Sequence, residues 1–332
     1  MHRAAAVLSI VTTTAAAQVG ALTPPPGPVQ ESGRFGNRTE LSQTNTPGDS
    51  NSVFKITQPG HYVLTSNLDV VGDTTGIEIA SDHVFIDLNG RVIRGTGDGS
   101  GAGIAIRNGT SGFEGESYRN LGIRNGSIAD LGTGIRLGRL IFGALVFTVN
   151  GVTIDSVTVS SCDIGATLLD ATISNSTVIA NRLALDVYDS TVSSCVVELR
   201  GTDDTVGALN ATDSAIRGSR ISLVTSGFGD YALQATGSSV EGCTIEAAES
   251  DAVPALLDGS VARGCRVIGP GLGSSSALIM LNGSIASNCL ISDAQFGFTA
   301  ADSSAMLVES CGVIRVNIPV AGSFTSRNNA GF

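Results

Sequence analysis

Asp189-Ser190-Thr191-Val192-Ser193-Ser194-Cys195-Val196-Val197 is matched further on by Asp213-Ser214-Ala215-Ile216-Arg217-Gly218-Ser219-Arg220-Ile221. Ser238-Ser239-Val240-Glu241-Gly242-Cys243-Thr244-Ile245 and Ser260-Val261-Ala262-Arg263-Gly264-Cys265-Arg266-Val267 repeat the pattern, Ser284 to Ile291 continues it, and Val308 to Val313 closes it. With the Cys position as reference, the repeats fall at 195, 219, 243, 265, 289 and 311, in steps of 24, 24, 22, 24 and 22. Ser176 and Val157 extend the series backwards in steps of 19. Periods of this size mark solenoids.

Columns of the repeat carry the geometry. Two residues after the reference stand Val159, Val178, Val197, Ile221, Ile245, Val267, Ile291 and Val313, all β-branched as an inward strand position favours. Three residues before it stand Ile154, Ile173, Val192, Ile216, Val240, Ala262, Ala286 and Val308, again apolar. Strand side chains alternate with period two. Two inward positions separated by an odd number of residues therefore need a corner between them. Gly, Asn or Ser fills that corner, residue types that suit a turn. A second corner is marked by Asn150-Gly151, Asp170-Ala171, Asp189-Ser190, Asp213-Ser214, Asp258-Gly259 and Asn282-Gly283. Each turn thus holds three short strands and no helix.

The pattern predicts an all-β chain: a single-stranded parallel β-helix with three sheets and about 19–24 residues per coil over residues 53–322. Asn89-Gly90 and Asn125-Gly126 are read as earlier coils, aligned with Asn150-Gly151. The long step between them is assigned to loops at 95–103 and 108–119.

Composition supports a folded, non-basic protein. The 332 residues include 42 Gly, no Trp, 42% hydrophobic and 15% charged residues, with net charge −11. Nucleic acid and anionic membrane both call for basic patches, so neither is an expected partner. Lys55 is the sole lysine, and the histidines are His2, His61 and His83, which removes most His-based catalysis. Residues 1–21 read as a secretory signal peptide, with a basic start, a short apolar run and an Ala15-Ala16-Ala17 exit. That run is too short to span a bilayer. Residues 22–52 read as a Pro/Gly/Ser-rich linker or arm, and 323–332 as a tail. The expected location is outside the cytoplasm: secreted, periplasmic or at the cell surface.

The stretches Asn45 to Asp49, Phe54 to Thr65, Gly76 to Ile79 and Ile86-Asp87-Leu88-Asn89-Gly90 resemble the opening of bacterial secreted right-handed β-helix proteins with the pectin-lyase-like fold. The motif match covers about residues 45–95, and the coil pattern extends it to about 320. The resemblance implies the right hand of the helix. It carries no catalytic residues over, because the group is largely uncharacterised. Relatives include pectate lyases, polygalacturonases and alginate epimerases. The paired-Asp and Gly-His-Gly signals of polygalacturonases and the Asp-Pro-His signal of epimerases are absent here.

Two clusters carry candidate chemistry. Aligned on the Asn-Gly pairs, the position two before the reference reads Arg94, Asp130, Asp155, Ser174, Ser193, Arg217, Glu241, Arg263, Ser287, Glu309. Asp130 and Asp155, stacked one coil apart, would form an acid/base pair or a Ca²⁺ site, with Arg94 holding a sugar carboxylate. The plain alternative is an exposed ladder of alternating charge. Phe113, Glu114, Glu116, Tyr118 and Arg119 would form an inserted sugar-binding loop, or an ordinary surface loop. Asp170, Asp189, Asp213 and Asp258 serve as turn formers or gather cations. No cofactor is required by any motif.

Two functional readings follow. One is a secreted protein that binds or acts on extracellular polysaccharide, as a lyase or hydrolase if it is an enzyme, with its site in the N-terminal half. The other is a non-enzymatic structural or adhesive rod, favoured by uniform coils and few aromatics. The oligomeric state is not legible. Cys195, Cys243, Cys265, Cys289 and Cys311 are expected in one buried column with Ser219, Cys162 lying off it. In-register strands keep these thiols at the coil spacing of about 4.8 Å, too far apart for disulfide geometry.

Overall fold

The structure is a computed structural model that describes residues 38–96, 101–106, 117–141, 144–147, 149–201, 207–224, 230–249, 252–271, 276–301, 306–322 and 324–330. Among these residues there is no helix. The chain from Asn37 to Phe332 is one compact unit built as a right-handed parallel β-helix. Strands of each coil pair in parallel with the same strands of the coils above and below.

Each coil contributes to three faces. Sheet A holds strands such as Gly60–Val63, Val84–Asp87, Ala171–Ser174 and Ala215–Arg217. Sheet B holds Leu68–Val70, Val92–Gly95, Val196–Leu199 and Thr244–Ala247. Sheet C holds Thr75–Ile79, Ala102–Ile106, Gly207–Thr212, Tyr231–Thr236 and Ser276–Leu281. The long strands Tyr118–Ala129 and Val149–Leu169 run through corners without a break in pairing. The predicted columns stand in register: Ile154 beside Ile173, Ile216 beside Val240, and Ile245 beside Val267. Side chains of these columns fill one continuous buried core.

The corner between sheets A and B is tight. Its residue takes a left-handed conformation in coil after coil, with φ of 53° at Asn89, 58° at Asn125, 57° at Ser156, 50° at Asn175 and 60° at Gly242. Asn, Gly and Ser meet that demand at low steric cost. Behind the corner runs a polar ladder. The Cys195 N–H donates to Ser219 Oγ at 3.1 Å, and Ser219 Oγ donates to the Arg217 carbonyl at 3.0 Å. Cysteines take the same role, Cys243 and Cys265 pointing Sγ at the carbonyl two residues back, each at 3.4 Å.

A second ladder, of serines, backs the corner between sheets C and A. The N–H groups of Ser190, Ser214 and Ser238 donate to the Oγ of Ser214, Ser238 and Ser260 at 3.0, 3.0 and 2.9 Å. Each hydroxyl donates in turn to the carbonyl two residues back, such as Ser214 to Thr212 at 2.7 Å. All of these serines are buried. A buried corner would otherwise strand its N–H groups, and the hydroxyl column satisfies them.

The structure corrects several sequence expectations. Strand pairing reaches beyond 53–322: Arg38–Glu40 pairs with residues 61–63, and Thr325–Arg327 pairs with Leu307–Glu309. Buried Leu41 anchors the first of these segments. Asn89-Gly90 and Asn125-Gly126 belong to the A–B corner, whereas Gly151 turns the C–A corner with φ 74°. The same dipeptide serves both corners, which shifts the N-terminal alignment by six residues at Arg124 and seven at Asp87. At the C–A corner, φ is positive at Gly259 (56°) and not at Asp258. The expected loops at 95–103 and 108–119 are shorter, since Ala102–Ile106 is a strand and another begins at Tyr118. The signal peptide and most of the arm lie outside the described residues.

All six cysteines are free and buried. Burial lifts the thiol of Cys162 to about 11 and raises that of Cys195. Thiol titration is therefore expected to find six thiols in denaturant and almost none in the native protein. Ser238→Ala removes the acceptor of the buried Ser214 N–H and is expected to cost about 2 kcal/mol of unfolding free energy. Ser238→Cys, which keeps a weak donor and acceptor, is expected to cost less in the same denaturant melt.

Candidate functional site

Register separates the three charged candidates. Arg94 lies on sheet B beside Ala129 and pairs with Asp69 at 2.9 Å, both more than half exposed. Asp130 turns the next corner with φ 57°, its N–H bonded to Ser160. Asp155 lies on sheet A beside Arg124. Asp130 and Asp155 therefore do not stack, and no acid/base pair forms between them. The true members of the Asp155 column are Asp87 and Arg124. Hydrogen bonds from Ser174 (2.7 Å), Asn175 (2.9 Å) and Ser156 (3.0 Å) hold the Asp155 carboxyl below its usual range. Further along, Arg217 and Glu241 form the exposed ladder pair at 3.5 Å.

The loop candidates divide as well. Tyr118 is buried at the start of its strand, 7% exposed, so it belongs to the core. Arg119 is exposed, with its backbone N–H on Asp82 Oδ1 at 2.9 Å. Phe113, Glu114 and Glu116 lie outside the described residues.

Sheet C gathers polar groups in a covered setting. Its outward column reads, coil by coil, Lys55, Glu78, Ala105, Arg136, Thr167, Asp186, Asn210, Gln234, Leu256 and Ile279. None of these residues is exposed. On the other two faces, outward residues such as Arg217, Glu241, Arg220 and Arg266 stand in solvent. The connections differ in length as well. The A–B corner uses one or two residues, whereas sheet C is entered through spans such as Leu199 to Gly207, Leu223 to Tyr231 and Ile268 to Ser276. It is left, after Thr133–Leu137, through an antiparallel hairpin of Arg139–Ile141 and Ala144–Phe147. The outward column of sheet C thus presents a strip of partly covered polar groups at the coil spacing of about 4.8 Å.

Asp186 sits at the centre of the strip, between Thr167 and Asn210. Burial raises its carboxyl from the ordinary value to about 6. The Tyr188 hydroxyl donates weakly to Asp186 Oδ2 at 3.5 Å, and burial followed by the carboxylate's charge pushes that phenol up to about 12. Asn210 Oδ1 is buried and has no hydrogen-bond partner among the described residues. A carboxyl that gains and loses its proton near neutrality, beside an unsatisfied amide, suits hydrogen bonding to hydroxyls and proton transfer. At the N-terminal end of the strip, Lys55 Nζ bridges Asp49 (2.6 Å) and Glu78 (2.9 Å), and its hydrogen bond holds Asp49 down at about 2. Sequence reasoning missed Asp186, Asn210 and Gln234. Their signal was there: polar residues at one outward column of a strand whose neighbours are all apolar.

Among the described residues no group of three or more His, Cys, Asp or Glu is placed to hold a metal ion, and no helix is long and apolar enough to cross a membrane. No protein-family model and no curated protein matches the chain. Solved structures do. The A-module of mannuronan C-5 epimerase AlgE6 from Azotobacter vinelandii aligns with a TM-score of 0.55 at 13% identity, over 82% of this chain and 90% of its own. The A-module of AlgE4 from the same organism gives 0.47 at 13%, over 81% and 88%. An alginate lyase from Paenibacillus sp. FPU-7 gives 0.38 at 10%, over 83% and 100%. The AlgE6 likeness establishes the shared β-helix architecture.

The raised carboxyl has a stability consequence. A folded pKa of about 6 against 3.8 unfolded means that ionising Asp186 opposes folding; the penalty grows from about pH 4 and is complete above about pH 6. Asp186→Asn is therefore expected to stabilise the protein by about 2 kcal/mol at pH 8 and hardly at all at pH 4, read from paired thermal melts.

Proposed function

We propose that this protein is secreted and binds an extracellular polysaccharide along the outer face of sheet C. The observation that carries the reading is the Asp186–Asn210–Gln234 row: three hydrogen-bonding side chains, one per coil, on a covered outward column. A glycan running parallel to the helix axis would meet a donor or acceptor at each coil. The two carboxylates that glycoside hydrolysis uses do not map onto this row, since the register neighbours of Asp186 are Thr167 and Asn210. Binding is the primary role in this reading, and Asp186 with Tyr188 supplies a proton-transfer pair for any reaction on the bound sugar. The structural-rod reading draws its support from the serine and cysteine ladders, which are devices of stability alone.

Coprecipitation with alginate, polygalacturonate and xylan separates the two. Wild-type protein is expected to bind at least one of them. Asn210→Ala and Gln234→Ala are each expected to weaken that binding about tenfold with little change in melting temperature. A wild type that ignores all three polymers, or variants that bind as tightly as wild type, would leave the rod reading standing.

A further inference from the structure

The outer face of sheet A carries a feature that neither the sheet C strip nor the core uses. Among the described residues most large aromatic and aliphatic side chains point inward, but Phe85 points out and is 39% exposed. His61, one coil before it and in register, stacks on its ring with centroids 5.0 Å apart and planes 17° from parallel. One coil after it stands Gly122. A Cβ placed at Gly122 would lie 2.5 Å from the Phe85 ring. The missing side chain thus lets the ring lean over the next strand. Gly122 has no positive φ, so the backbone does not demand glycine there. Glycine inside a strand weakens it, and close approach by another group is the usual compensation.

Polar groups border the ring. On the same strand, Asp87 is 9% exposed. It takes Arg124 Nε and Nη2 at 3.2 and 3.0 Å, Asn125 Nδ2 at 3.2 Å, the Asn89 N–H at 2.9 Å and Arg38 Nη1 at 3.3 Å. Burial opposes ionisation of Asp87, but these donors outweigh it and hold the carboxyl below its usual range. Asp87 is therefore saturated and acts as a fixed post for two guanidinium groups. Arg124 is half exposed, and among the described residues its Nη1 amino group has no acceptor. Asp155 continues the same column one coil on, beside Arg124. Two Arg and two Asp balance, so the patch has no net charge to select an ionic ligand.

We propose that Phe85, with Arg124 diagonal to it one coil on and Asp155 one coil beyond Arg124, is a second carbohydrate-binding surface that takes a neutral pyranose, the sugar's C–H face on the aromatic ring and its hydroxyls on the guanidinium. Flat aromatic area with planar polar neighbours is what such a ligand needs, an apolar face and directional hydrogen bonds. His61 and Gly122 are positioning residues: one supports the ring, the other lets it lie down. The surface is independent of the sheet C strip, because it occupies another face of the helix.

The probe is cellotetraose, with xylotetraose beside it, read by saturation-transfer NMR and by titration of the ring signals of Phe85 and His61. Wild type is expected to bind at least one of the two, with the strongest transfer to axial C–H protons and shifts at both rings. Phe85→Ala is expected to weaken binding at least tenfold, and Phe85→Trp to restore it. Gly122→Ala needs only the ring to lift, so it is expected to keep the melting temperature and still lose most of the binding. Asn210→Ala, on sheet C, is expected to leave these signals unchanged, so this surface and the proposed strip fail separately. Absence of binding by wild type, or equal binding in Phe85→Ala and Gly122→Ala, would overturn the proposal and leave the ring as cover for a strand glycine.

Discussion

Everything in this structure depends on turning the chain within the thickness of one coil. A coil has about 4.8 Å along the axis before the next begins. Within that slab the chain must turn three corners and satisfy each corner N–H and carbonyl. Left-handed residues at the A–B corner make the turn. Hydroxyl and thiol columns behind the corners then absorb the buried N–H groups. The same residue types recur because each coil poses the same local problem. Apolar columns then stack in register and close the core.

That constraint explains which parts were legible. Inward columns and corners repeat in every coil, so their period and chemistry stand out in the sequence from Val157 to Val313. The thiol column was legible for the same reason. Asn-Gly was misleading, because φ > 0 is needed at two corners and the dipeptide satisfies either. Aligning on the apolar series Ile86, Ile123 and Ile154 places Asp87 and Arg124 beside Asp155 correctly. Arg94 and Asp130 then fall on other surfaces.

Outward columns obey no such rule. Strand periodicity separates inward from outward residues and says nothing about how far an outward residue such as Asp186 is covered. The importance of Phe85 depends on which residue lies one coil away, which the sequence reveals only after the register is known. Tyr118 shows the reverse case: it looked like part of an insertion, but the strand had already begun.

The faces consequently divide their work. Sheet B and the C-terminal half of sheet A present exposed charge, as at Arg217–Glu241 and Arg220–Glu246. On sheet C no residue of the outward column from Lys55 to Ile279 is exposed. Carboxyl footprinting with a water-soluble carbodiimide tests this division most directly, with and without the polysaccharide that coprecipitates with the protein. The account predicts that bound polymer shields Asp186 while Glu241 and Glu309 label at their free rates. Shielding of Glu241 and Glu309 with Asp186 unchanged would contradict it.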